Sequence, residues 1–233
     1  MSGHSKWATT KHKKALVDAK KSSIFTKLAK IISVAARNGA DPDMNFQLRM
    51  AIDKARAFSM PKENIERSIA KGAGIGEQNN LEEITYEGYG PEGVAIIIEL
   101  VTDNKNRSAS EIRHILSKTG GTLGASNSVL WQFERRGVIY LKNIELSDEQ
   151  ELVIIDAGAD DIEKTEDGII ILTSMENLQK TQEKLKDIVE IENAEIEYVA
   201  KNKVKMKNPE KLEKLIEALD ENDDVNNFYT NAE

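Results

Sequence analysis

Over roughly the first seventy residues, apolar positions recur with the 3.6-residue period of helices, and beyond them the pattern changes to that of strands. Ile24, Leu28, Ile31, Ile32 and Ala35 form one stripe, which predicts an amphipathic helix with Lys20, Lys27, Lys30 and Arg37 on its polar side. Asn38-Gly39 ends that helix, because glycine accepts the left-handed conformation of a C-terminal cap. A second helix follows DPDMN, with Leu48, Ala51, Ile52 and Ala55 on one face. Pro61 suits the first turn of a third helix, in which Ile65 and Ile69 point inward and Gly72 is the stop.

Gly72–Asn80, GAGIGEQNN, has three glycines and almost nothing to bury, and reads as a linker. Its G-x-G-x-G spacing follows a helix, whereas a dinucleotide fingerprint needs a strand before it and a helix after. Thr85–Tyr89 and Val94–Thr102 read as strands joined by a Gly-Pro-Glu-Gly turn. Ser108 and Glu111 form an S-x-x-E capping box for a helix that buries Ala109, Ile112, Ile115 and Leu116. Val129–Glu134 reads as a third strand, with Trp131 and Phe133 in the core.

A complete βαββαβ series follows. Val138–Leu141 is its first strand, and Ser147 with Gln150 caps a helix through Ile155. Asp161–Thr165 and Gly168–Thr173 form a hairpin. Glu176–Ile188 is a helix with Leu178, Leu185 and Ile188 inward, and Ala194–Val199 closes the series. That order is the ferredoxin-like split βαβ pattern. Asn208-Pro209 then starts a last helix with Leu212, Leu215, Ile216 and Leu219 as its stripe, and Val225–Tyr229 is a terminal strand. A lone helix and strand cannot form a core, so they return to the preceding ββαβ piece. The expected organisation is a basic arm (1–21), a helical domain (22–71), a linker (72–80), an α+β domain (81–136 plus 204–233) and an inserted ferredoxin-like domain (137–203). The fold class is α+β: a small three-helix domain and two α+β domains, one inserted in the other.

Charge adds a polarity to this order. The net charge of −8 divides into +9 for residues 1–71, with 15 Lys/Arg against 6 Asp/Glu, and −17 for residues 72–233, with 17 against 34. A basic end on an acidic remainder predicts a polyanion-binding arm. Lys6, Lys11, Lys13, Lys14, Lys20 and Lys21 can neutralise phosphates, and Trp7 can stack on an unpaired base. The bland alternative is a solvated tail with Trp7 folded back on the helices. Glu63 and Glu66 share the third helix with Lys62 and Arg67, which disfavours its entry into a DNA groove.

The loop Thr102–Arg107 offers Lys105 and Arg107 beside the free N–H groups of a helix start, as an anion site or simply as an Asx-turn with solvated cations. Catalytic signatures are thin. His4, His12 and His114 are the only histidines, in no metal-ligand spacing, and Ser126 and Ser128 have no identifiable base. With zero cysteines and no long apolar run, thiolate metal sites and a membrane-spanning helix are excluded and a reducing cytosol is the natural setting. No cofactor and no enzymatic activity are expected.

Several motifs together resemble the YebC/PmpR family: GHSKW at Gly3–Trp7, IFTKL at Ile24–Leu28, RMAIDKAR at Arg49–Arg56 and MPKENIERSIAKG at Met60–Gly72. YEGYGPEGVA at Tyr86–Ala95, TDNKNRS at Thr102–Ser108 and DDVNNFYTNAE at Asp223–Glu233 extend the resemblance nearly end to end. It implies a helical domain and two α+β domains around an open cleft, in a cytoplasmic protein; a monomer is expected. It also implies one of two roles: a DNA-binding transcriptional regulator, or a ribosome-associated translation factor that contacts ribosomal RNA and relieves stalling at proline-rich sequences. A protein-only adaptor is the remaining alternative from the residues themselves.

Overall fold

The computed structural model describes residues 17–75, 80–142, 145–165 and 168–233. They form two compact units: one of the chain up to Gln132 together with Ala200–Glu233, the other of Phe133–Val199.

The first unit begins with three helices, α1 (Val17–Ala35), α2 (Phe46–Ala57) and α3 (Lys62–Gly72). Their apolar stripes meet in a core of Leu28, Ile32, Leu48, Ala51, Ile52, Ala55 and Ile65. Asn45 is buried at the start of α2, where its carbonyl accepts from the Leu48 N–H. Its amide donates to the Ala35 and Gly39 carbonyls, 2.8 Å each, so one side chain caps α2 and closes the end of α1. Pro61 sits at the N-cap of α3, one position before the helical turn. Gly72 does more than stop α3. A Cβ there would lie 2.1 Å from the Ser33 carbonyl oxygen, so α3 and α1 touch backbone to backbone, next to a hydrogen bond from Ser33 Oγ to the Ser68 carbonyl.

The sheet of this unit has strands β1 (Glu82–Tyr89), β2 (Ala95–Thr102), β3 (Thr122–Leu123) and β8 (Val225–Thr230), in the order β3-β1-β2-β8 with antiparallel neighbours. Helices α4 (Lys105–Lys118) and α7 (Pro209–Glu221) share its core, built from Ile96, Ile98, Leu100, Ile112, Leu116, Leu215, Leu219 and Phe228. The returning C-terminal helix and strand thus complete the sheet, β8 against β2.

Three details depart from the sequence reading. Helix α4 starts at Lys105, not Ser108: Asn104 caps it by accepting from the Arg107 N–H, and Ser108 is buried one turn inside. Residues Leu130–Gln132 are a 3-10 turn rather than a strand, and Trp131 is 68% exposed rather than core. The strand register begins only at Phe133, so the alternation that buries Phe133 does not extend back to Trp131.

The second unit holds β4 (Phe133–Leu141), α5 (Asp148–Ala157), β5 (Asp161–Thr165), β6 (Gly168–Thr173), α6 (Leu178–Leu185) and β7 (Ile191–Ala200), whose last residue passes into the first unit. The sheet order β5-β6-β4-β7, with β4–β6 and β5–β6 antiparallel, is the strand order of the ferredoxin-like pattern. Ser147 and Gln150 make the reciprocal capping box of α5, and Gly158, in the left-handed region at φ 115°, ends that helix. Helix α6 stops at Leu185, three residues short of Ile188, which is 39% exposed rather than inward. The two chain crossings between the units lie side by side: the Lys201 N–H donates to the Gln132 carbonyl at 2.9 Å.

Candidate nucleic-acid interface

Lys6, Trp7, Lys11, Lys13 and Lys14 lie outside the described residues, and so does the Lys20 side chain, although its backbone belongs to α1. Lys21 is exposed on the first turns of that helix. The remaining cations singled out from the sequence are engaged inside the protein. Lys27, placed on a polar face by the helical wheel, is 6% exposed and donates to the Asp220 carbonyl at 2.7 Å. Arg37 donates to the Leu81 carbonyl at 2.7 Å, Lys105 pairs with Glu82, and Lys30 and Arg107 meet at Asp224.

Asp224 is a hub between the helices and the sheet. Lys30 Nζ from α1 donates to one oxygen at 2.7 Å; Arg107 Nη2, Ser108 Oγ and Thr102 Oγ1 donate to the other at 2.8, 2.8 and 2.9 Å. Burial by itself raises the Asp224 carboxyl, but these hydrogen bonds outweigh it and hold the group far below the ordinary carboxylate range. The same contacts, from Asp224 first and Asp103 next, hold the Arg107 guanidinium firmly protonated. Lys30 also donates to the Asp223 carbonyl, and Ser23 Oγ to the Asp223 carboxylate. The basic face of α1 is therefore docked on the turn between α7 and β8, because the carboxylates of that turn stand opposite it.

Between α1, α3 and the start of α4 this docking leaves a groove of ≈ 550 Å³. Phe25, Ala29 and Met60 supply its apolar part, Ser22, Thr26, Asn64 and Ser68 its hydroxyls and amide. Lys30, Arg107 and Asp103 line it beside the hub, and Arg67 and Lys71 line it from α3. Both α3 cations are exposed, and neither has a hydrogen bond or ion pair among the described residues. Glu66 is paired with Lys62 at 3.5 Å, and neither they nor Glu63 line the groove. Glu63 and Glu66 do not set the character of the whole helix: the charges of α3 are sorted, with the unpaired cations Arg67 and Lys71 on the groove. Spacing could have found this, since Asn64, Arg67, Ser68 and Lys71 stand three or four residues apart.

At the anion-site loop, Asn104 makes the Asx-type cap, and both cations are ion-paired rather than free. Among the described residues no helix is long and apolar enough to cross a membrane.

Residues 5–75 match the model of the TACO1/YebC protein N-terminal domain, and residues 81–232 match that of the TACO1/YebC second and third domain. A probable transcriptional regulatory protein of Caldanaerobacter subterraneus subsp. tengcongensis is 49% identical over 239 residues, covering 100% of this chain and 98% of its own. A protein of the same description from Thermoanaerobacter pseudethanolicus is 50% identical over 239 residues, covering 100% and 97%. The crystal structure of a conserved hypothetical protein from Aquifex aeolicus superposes with a TM-score of 0.86 at 43% identity, over 96% of this chain and 95% of that one.

Proposed function

The chain belongs to the TACO1/YebC family, and from that premise we propose that it is a non-enzymatic, cytoplasmic regulator of gene expression that works by binding nucleic acid. The observation that carries this reading is the segregation of charge. Met1–Arg37 holds 9 Lys/Arg against the single acid Asp18, while the internal contacts of Lys27, Lys30 and Arg37 consume only part of that surplus. Lys6, Lys11, Lys13, Lys14, Lys20 and Lys21 are the arm's phosphate contacts, Trp7 its stacking group, and Arg67 with Lys71 extends the basic surface into the groove. The naming of the relatives as probable transcriptional regulatory proteins supports DNA as the polymer.

A second reading, a ribosome-associated translation factor, is favoured by one observation: Phe133–Val199 alone carries 18 Asp/Glu against 7 Lys/Arg. A body of that charge is repelled along a uniform duplex, whereas ribosomal RNA is interrupted by basic protein. The test is paired: competition binding on promoter DNA, and cosedimentation with ribosomes at physiological salt. A DNA site bound at least about a thousandfold above random sequence establishes transcriptional readout. Ribosome association that survives the salt without such a site establishes the translation role. If deletion of residues 1–21 leaves all nucleic-acid binding intact, the arm reading fails.

A further inference from the structure

We infer a second nucleic-acid contact on the first unit, remote in sequence from the arm: a single-strand site in which Trp131 stacks on an unpaired base and Lys201, Lys203 and Lys205 take the flanking phosphates. It rests on the nucleic-acid reading above but uses none of the residues that carry it.

The site starts from a buried carboxylate. Glu87 on β1 accepts three backbone N–H bonds from one loop: Asn127 at 2.6 Å, Val129 at 2.9 Å and Leu130 at 2.8 Å. Tyr89, two residues on, donates its hydroxyl to the Ser128 carbonyl at 3.2 Å. These bonds hold the loop that leads into the 3-10 turn at Leu130–Gln132, and that turn presents Trp131. The indole Nε1 donates to the Ser128 carbonyl at 3.1 Å, which ties one edge of the ring to the braced loop while the side chain stays 68% exposed. A large apolar ring with its donor already satisfied and its position fixed has little left to do for the fold. It is a platform with most of its ordering entropy already lost.

The cations come from the strap between β7 and α7. Residues 200–208, AKNKVKMKN, hold Lys201, Lys203, Lys205 and Lys207 and no Asp or Glu, in a region otherwise rich in acids. All four lysines are exposed. The strap is anchored at both ends of this run. Lys201 N–H donates to the Gln132 carbonyl, and Lys201 Nζ to the Trp131 carbonyl at 3.1 Å, which places the first lysine beside the platform. Val204 pairs in parallel with Ala232, so Lys203 and Lys205, its neighbours on each side, share the opposite face of that extended stretch. Two acids at its borders are Glu92, whose oxygens accept from the Lys207 and Asn208 N–H groups, and Glu233, whose N–H donates to the Val204 carbonyl.

An aromatic face next to a track of cations is what sequence-tolerant single-strand binding requires, because every base has a π-face and every nucleotide a phosphate. A paired duplex offers the ring no free base face, so the ligand is single-stranded RNA or DNA, or an unpaired loop.

Trp7 and Trp131 are the only tryptophans, which gives a direct readout. In the full chain carrying Trp7→Phe, Trp131 fluorescence is followed while oligouridylate or oligoadenylate of about 12 nucleotides is added at low salt. The expected result is saturable quenching that a matched duplex does not produce. Trp131→Ala is expected to weaken single-strand binding by about fivefold or more, with Trp131→Phe within about twofold. Lys203→Gln with Lys205→Gln is expected to flatten the log–log salt slope by about 1.4. Circular dichroism checks that each variant is folded. If the oligonucleotides bind through the arm but Trp131 stays silent and its variants bind normally, this site is wrong and the regulatory reading stands. If the full chain binds no nucleic acid of any kind, both are wrong.

Discussion

In the unit made of the chain up to Gln132 with Ala200–Glu233, 25 Lys and Arg stand against 22 Asp and Glu, whereas Phe133–Val199 holds 7 against 18. The first unit is thus +3 and the second −11, and the acidity of the molecule belongs mostly to the insert. The first unit also spends charge on its own cohesion. Asp224 gathers four donors from α1, β2 and α4, and Lys27 and Arg37 are tied to backbone carbonyls. The second unit adds to its local features, the Ser147–Gln150 box and the Gly158 cap, fewer long-range polar ties: the Tyr140 hydroxyl donates to the buried Glu197 carboxylate at 3.0 Å, and Arg136 pairs with Asp160 at 2.9 Å. Net charge by segment therefore reports poorly on which cations face solvent: Lys27, Lys30 and Arg37 are held by folding, while Lys21, Arg67, Lys71 and the lysines of the 200–208 strap are exposed.

The largest effect is expected from Gly72→Ala. The methyl group would stand 2.1 Å from the Ser33 carbonyl, so α3 must move off α1, at a cost of about 3 kcal/mol or more for a backbone that cannot yield. Hydrogen exchange is expected to show lost protection in α1 and α3 with β5 and β6 unchanged; loss in both units would mean that they are not energetically separate.

Asp224→Ala is the next largest, about 2–3 kcal/mol, below the range for a fully buried pair because Lys30 and Arg107 reach water. The carboxyl is depressed in the folded state, so its contribution is complete above the ordinary aspartate value of about 4 and drains away as the pH falls below it. Urea titrations at a series of acidic pH values are expected to show that Asp224→Asn lacks this part of the acid dependence. An unaltered acid profile would remove Asp224 from the account.

The smallest effect concerns the insert. Glu149→Gln, Asp156→Asn and Glu176→Gln together are expected to strengthen single-strand binding only about two- to fourfold at low salt, and not at all near 1 M, where screening is nearly complete. A gain that persists in high salt would point to direct contact by the insert instead of repulsion at a distance.

The order of elements was legible because it is written locally. The stripe of α2, the Ser147 box, the 161–173 hairpin and the Leu215–Leu219 stripe are each set by residues a few positions apart. What failed to show were partners distant in sequence. Nothing near Lys27 reveals that a carbonyl 193 positions away will receive it, and nothing near Trp131 reveals Glu87 turning its loop outward. The α4 start is obscured for a related reason: Ser108 has capping chemistry, but Asp224, from the far end of the chain, draws its hydroxyl inward and Asn104 caps instead. The groove is hidden in the sequence because the presence of Glu63 and Glu66 on α3 does not tell which way they face.

The hydrogen bond between Lys201 and Gln132 has a topological consequence. The insert leaves and re-enters its host at neighbouring residues, so the host sheet never depends on the insert to bring its own ends together. Everything from Phe133 to Val199 is a detachable module on a two-stranded stem, and a turn of a few residues across that stem would restore a continuous chain. Lineages can exchange, enlarge or lose such a module without redesigning the protein that carries it. An engineer can use the same gap as a port, where a reporter or a foreign binding domain is spliced in and the host folds around it unaware.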